Sequence, residues 1–128
     1  MERRLVSSGS PFEPVVGYSR AVRAGERVFV SGTAPIMPDG ADPPADAYGQ
    51  ARRCLEIVEA GLREAGAELA DVVRTRAYLI DAAHFDGFAK AHGEAFSDVR
   101  PANTTVVVSA LLDPRWLLEI EAEAVVSR

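Results

Sequence analysis

The segment from Leu117 to Val126 constrains this chain most. Within it Leu118, Ile120, Ala122 and Ala124 alternate with Glu119, Glu121 and Glu123. A period of two puts the four apolar side chains on one face of a strand and the three carboxylates on the other. A strand of that kind belongs to a sheet with one packed face and one polar face. Something else in the chain must cover the apolar side. Ala51, Cys54, Leu55, Val58, Leu62 and Ala65 recur at helical spacing and Gly66 follows them as a stop. They predict a helix over about 45–65. Asp81 can cap a second helix that carries Phe85, Phe88, Ala89, His92 and Phe96 on one stripe.

Four further strands complete the pattern. Tyr18–Arg23 and Glu26–Ser31 read as a hairpin turning at Ala24-Gly25, with Gly32 closing the second strand. Val72–Ile80 alternates, with Val73, Thr75, Ala77 and Leu79 on one side and Arg74, Arg76, Tyr78 and Ile80 on the other. Thr104–Ala110 is rich in β-branched residues. The order β-β-α-β-α-β-β predicts an α+β two-layer domain, with a mostly antiparallel sheet and two helices on one face. The breaker-rich loop Pro38–Pro44 does not divide the chain, since neither flank is long enough to fold alone. Residues 1–128 therefore read as one domain.

Composition narrows the function. A formal net charge of −5 opposes a protein that coats a nucleic-acid duplex. The longest apolar runs, such as Thr105–Leu112 with a serine inside, fall far short of the ~20 residues that span a bilayer. The start, Met-Glu-Arg-Arg-Leu-Val-Ser-Ser, lacks the apolar stretch of a secretory signal, so a cytoplasmic setting is expected. Cys54, the single cysteine, lies on a helical apolar stripe and reads as a core filler rather than a nucleophile. His84 and His92 stand two helical turns apart, too far to chelate one ion as neighbours, and no metal is expected.

The polar sheet face then becomes the main question. Arg74 and Arg76 oppose their strand's apolar side, as the three glutamates oppose theirs. Cross-strand Arg–Glu pairs on a solvated face are one reading. The other is a subunit interface that shields some of these carboxylates and puts them to work.

Four segments carry a resemblance. Gly17-Tyr18-Ser19-Arg20-Ala21, Val28-Phe29-Val30-Ser31-Gly32-Thr33-Ala34-Pro35-Ile36, Pro101-Ala102-Asn103-Thr104-Thr105 and Leu118-Glu119-Ile120-Glu121-Ala122 resemble the Rid family. These are the reactive-intermediate deaminases, also called YjgF-like or L-PSP endoribonuclease-like proteins. The resemblance runs from about Gly17 to Val126. It implies a chorismate-mutase-like fold and a homotrimer, with the sheets facing a central barrel-like core and clefts between neighbouring subunits. The activity it implies is cofactor-free hydrolysis of enamines and imines to ketoacids and ammonia.

Carried over residue by residue, the resemblance places Tyr18, Ser31, Gly32 and Glu119 in the cleft, with Glu119 holding the attacking water. The hydroxyls of Tyr18, Ser31, Thr104 and Thr105 could orient a polar substrate. Three positions depart from the deaminating members. Asn103 stands where an arginine forks onto the substrate carboxylate, Ala89 where an asparagine is frequent, and Thr105 where some members carry cysteine. Loss of a charged two-pronged contact costs about 2–5 kcal/mol of ligand binding. The chain thus resembles an arginine-lacking branch. Arg76, on the same side of the sheet as Glu119, is expected to lend the cleft positive charge. Arg115, in the turn before Trp116, is a weaker substitute.

Three functions compete at this level: a small-molecule hydrolase or isomerase, a metabolite-binding module without turnover, and a ribonuclease. Acidic charge, a glutamate in the cleft and the absence of a histidine pair for phosphodiester cleavage count against the third. A homotrimer binding a small molecule, away from nucleic acid and membrane, is the expected partnership.

Overall fold

The computed structural model describes residues 2–127 and contains six strands and three α-helices. In chain order they are β1 (Arg3–Val6), α1 (Phe12–Val16), β2 (Ala21–Ala24), β3 (Arg27–Thr33), α2 (Ala47–Glu64), β4 (Val72–Leu79), α3 (Phe85–Phe96), β5 (Ala102–Val107) and β6 (Leu118–Val125). They form one sheet in the order β1-β2-β3-β6-β4-β5. Only the β4–β5 pair is parallel among these neighbours; the other pairs are antiparallel. The expected α+β architecture stands, with one strand and one short helix more than the periodicity predicts.

Helix α2 begins where Asp46 accepts a hydrogen bond from the Gly49 amide. It ends at Gly66, whose φ of +84° is the left-handed conformation that glycine adopts at no steric cost. Its buried stripe, Ala51, Cys54, Leu55, Val58 and Leu62, joins Phe88, Ala91 and Phe96 of α3 over the apolar side of the sheet. That side presents Val28 and Val30 of β3, Ala77 and Leu79 of β4, and Leu118, Ile120, Ala122 and Ala124 of β6. Full burial of one Leu or Ile side chain contributes roughly 1.5–3 kcal/mol. The core is therefore centred on β6, which has the covering helices on one side and the acidic face on the other.

Four details differ from expectation. The first strand, β1, has one buried residue, Val6, so it shows no alternation. Helix α1 is inverted: Glu13 is buried, while Phe12, Val15 and Val16 are exposed. Glu13 accepts hydrogen bonds from the Ser7 and Ser8 hydroxyls and from the Ser8 amide, which hold its carboxyl below the usual range. On β4 the pairing with β6 slips between Val72 and Arg74, so Val72 takes the buried place and Val73 is exposed. Strand β5 starts at Ala102 and ends at Val107, earlier than expected, because it pairs in parallel along β4 from Arg74 to Leu79.

Cys54 is completely buried and burial pushes its thiol pKa up. The folded protein should resist a thiol-specific reagent, and labelling should rise with denaturant along the unfolding curve. Rapid labelling of the native protein would contradict this placement. No described helix is long and apolar enough to cross a membrane.

Candidate active site

Strand β6 lies between β3 and β4, so its three carboxylates stand in the middle of the open face. Glu121 lies opposite Arg76 and accepts hydrogen bonds from Arg76 Nη1 at 3.2 Å and from the Tyr78 hydroxyl. Glu123 accepts from the same Nη1 at 3.1 Å. These are partly exposed pairs, each worth about 0–1 kcal/mol. Glu119 is different. It is half-buried, and among the described residues its carboxylate has neither a hydrogen bond nor an ion pair. Burial lifts its carboxyl above the usual carboxylate range, nearby Arg20 offsets part of this, and Glu121 adds to it.

The neighbour that Glu119 faces is Gly32. A Cβ built on Gly32 would stand 3.7 Å from Glu119 Oε1, so the carboxylate lies over the backbone there. The β3–β6 register shifts between Val30 and Thr33, which places Ser31 and Gly32 in the irregular step. The Ser31 hydroxyl donates to the Ser19 carbonyl at 2.7 Å, and the Ser31 amide donates to the Arg20 carbonyl at 3.0 Å. The hydroxyl oxygen of Ser31 remains an acceptor, but its proton is committed. Tyr18 is half-buried just after helix α1, and its amide donates to the Glu13 carbonyl at 3.0 Å.

Asn103 and Thr105 occupy a second cluster. Asn103 pairs with Thr75 across the parallel β4–β5 ladder, on the side of the sheet that the helices cover. Its amide nitrogen donates to Thr75 Oγ1 at 3.0 Å, and its amide oxygen accepts from Thr105 at 2.9 Å. Thr75 is completely buried and its hydroxyl also meets His92 Nε2 at 2.8 Å. Burial lowers the pKa of His92 and favours the neutral ring. Thr104 pairs with Arg76 and so shares the open face.

One chain thus brings Glu119, Gly32, Ser31 and Tyr18 to one region. Asn103 and Thr105 stand on the edge strand and the other side of the sheet. Arg76 is spent on Glu121 and Glu123, on the face opposite Asn103, so the positive charge expected of it is already neutralised. Arg115 is likewise held, by Asp113 and Asp42. Sequence reasoning missed Arg20, a buried cation beside Glu119, and the Thr75–His92 contact behind Asn103. Nothing in the sequence distinguishes Arg20 from a solvated arginine. His92 stood on the predicted helical stripe, but its partner lies on a different element.

A family model described as Endoribonuclease L-PSP matches residues 9–126. The chain belongs to that family. A RutC family protein of Pyrococcus abyssi is 36% identical over 126 residues, covering 98% of this chain and 97% of the relative. An uncharacterized protein of Streptomyces coelicolor is 38% identical over 121 residues, covering 94% and 90%. The crystal structure of a YjgF/YER057c/UK114 family member from Mycobacterium tuberculosis superimposes with a TM-score of 0.89 at 46% identity, covering 98% of this chain and all of that one. The Rid-like, YjgF-like character expected from the four segments is therefore established, together with the fold.

Proposed function

We propose that the protein hydrolyses the carbon–nitrogen double bond of a small imine, or of the enamine that tautomerises to it, releasing a carbonyl compound and ammonia. The observation that carries this reading is Glu119, the half-buried β6 carboxylate left unpaired when Arg76 and Tyr78 engage Glu121 and Glu123. Glu119 takes a proton from water as the water oxygen bonds to the imine carbon, and delivers it to the nitrogen. The resulting carbinolamine gives its hydroxyl proton to Glu119. Its C–N bond breaks as the carbonyl forms, and Glu119 returns that second proton to the departing nitrogen. One imine and one water give one carbonyl and one ammonia, and Glu119 ends as it began. A carboxyl held above its usual pKa is suited to both proton transfers.

The site is proposed to be completed by a second copy of the chain within a homotrimer. Its Asn103 edge would close over the Glu119 face and make the cleft. A relative, TdcF of E. coli, was crystallised with bound serine; it is 31% identical to this chain with a TM-score of 0.81. That supports a small, polar ligand. Asn103 argues for a ligand whose recognised group is uncharged, because an amide offers hydrogen bonds without charge.

Asn103 also favours a second reading, a metabolite-binding protein without turnover. Freshly generated imines, with ammonia release as the readout, separate the two. Binding detected by calorimetry with no acceleration of ammonia release would support the binding module and overturn the hydrolase. Asn103→Arg should raise kcat/KM on carboxylate-bearing imines by about 30-fold or more, with the oligomer intact. No gain on such substrates would show that position 103 does not face the substrate. A ribonuclease is the weaker reading, since the open face carries three glutamates and its Arg76 is neutralised.

A further inference from the structure

Arg20 precedes β2 and is only 7% exposed, yet no carboxylate oxygen forms an ion pair with it among the described residues. A charge removed from water in this way is costly unless it is engaged. Its one side-chain hydrogen bond here runs from Nη2 to the Gly32 carbonyl at 2.7 Å. Its Nε is buried without a partner among the described residues. Its backbone is tied on both sides, donating to the Val6 carbonyl at 2.8 Å and accepting from the Ser31 amide at 3.0 Å. The guanidinium therefore grips the same Gly32 peptide that Glu119 overlies.

We propose that Arg20 is a positioning residue for Glu119: its guanidinium, held on the Gly32 carbonyl, fixes the Ser31–Gly32 backbone that the carboxylate overlies and keeps a positive charge next to it. The inference rests on Glu119 being the proton-carrying group of the site. Other groups reach the same carboxylate and are weaker candidates for this role. Glu121, on its own strand, opposes ionisation. Tyr78 of β4 has its hydroxyl on Glu121, and Cys54 of α2 holds a neutral thiol. Glu13 and Tyr18 couple to Arg20 and favour its charged state against the cost of burial.

The test follows the Glu119 carboxyl carbon by NMR through a pH titration, without any substrate. Arg20→Gln should raise the Glu119 midpoint by about one pH unit, a tenfold change in proton affinity. Arg20→Lys, which keeps the charge, should hold the midpoint near the wild-type value. A folded Arg20→Gln protein with an unmoved midpoint would overturn the proposal, whatever its loss of stability. If that variant does not fold, the wild-type protein decides. The Arg20 Nε–H resonance should shift with the Glu119 midpoint, and that step should vanish in Glu119→Gln. Absence of the step overturns the proposal. A raised midpoint in a protein that never turns over imines would retire the hydrolase and leave the Arg20–Glu119 coupling standing.

Discussion

Glu119→Gln is expected to slow imine hydrolysis by about 10²–10⁴-fold, the range that a positioned acid–base group contributes. The amide fits the same space and can still orient water, but it neither accepts nor returns the proton. The same substitution should stabilise the protein at neutral pH. In the fold the Glu119 carboxyl titrates above its unfolded range, because burial disfavours the charged form. Between the two pKa values the native state binds more protons than the unfolded chain, so stability falls as pH rises through that window. Above the window the ionised carboxylate is a standing cost, which glutamine removes. Melting curves should place Glu119→Gln above wild type at pH 7. The gap should close below about pH 4, where the acid is neutral in both states. Unchanged turnover would remove Glu119 from the chemistry. A lower melting temperature at pH 7 would identify it as a structural ion-pair partner.

The largest effect on stability is expected at Gln50. This side chain of α2 is 1% exposed and makes three hydrogen bonds to backbone outside its helix. Its amide nitrogen donates to the Pro44 and Arg115 carbonyls, each at 2.9 Å, and its oxygen accepts from the Leu117 amide at 2.8 Å. It thereby pins the proline-rich loop and the approach to β6 onto one helix. Gln50→Ala leaves these backbone groups to find water in a packed region, at about 1–3 kcal/mol for each group left unpaired. Partial rehydration brings the expected loss to roughly 2–4 kcal/mol, or a fall of about 10 °C in Tm. Hydrogen exchange at the Leu117 amide should accelerate more than exchange in β2, which Gln50 does not touch. A melting temperature within a degree of wild type would mean that water replaces all three bonds without cost.

The sheet core was legible because β6 and α2 each carry a single period over many residues. Leu118, Ile120, Ala122 and Ala124 can share a face in only one way. Arg3–Val6 carried no such signal, since pairing at an edge requires only one buried side chain. Helix α1 ran against its own pattern, because its buried residue is a glutamate satisfied by two serines that precede it. On β4 the slip between Val72 and Arg74 is decided by the pairing with β6, which no local pattern encodes. At the site, the alternation singled out three carboxylates but not which one stays unpaired. That choice depends on the reach of Arg76 and Tyr78 from the next strand. Asn103 lies on the helix-covered side because β5 runs parallel to β4 with Thr75 alongside it.

The position of β6 bears on how the protein is made. Residues 118–125 leave the ribosome after the other described strands, yet both β3 and β4 bond to them. Until they emerge, a nascent chain holds two half-sheets with bare interior edges, the condition under which unfinished proteins pair wrongly or aggregate. Translation arrest before Leu118 would therefore yield no partly working product, because the strand that closes the fold is also the one that carries Glu119.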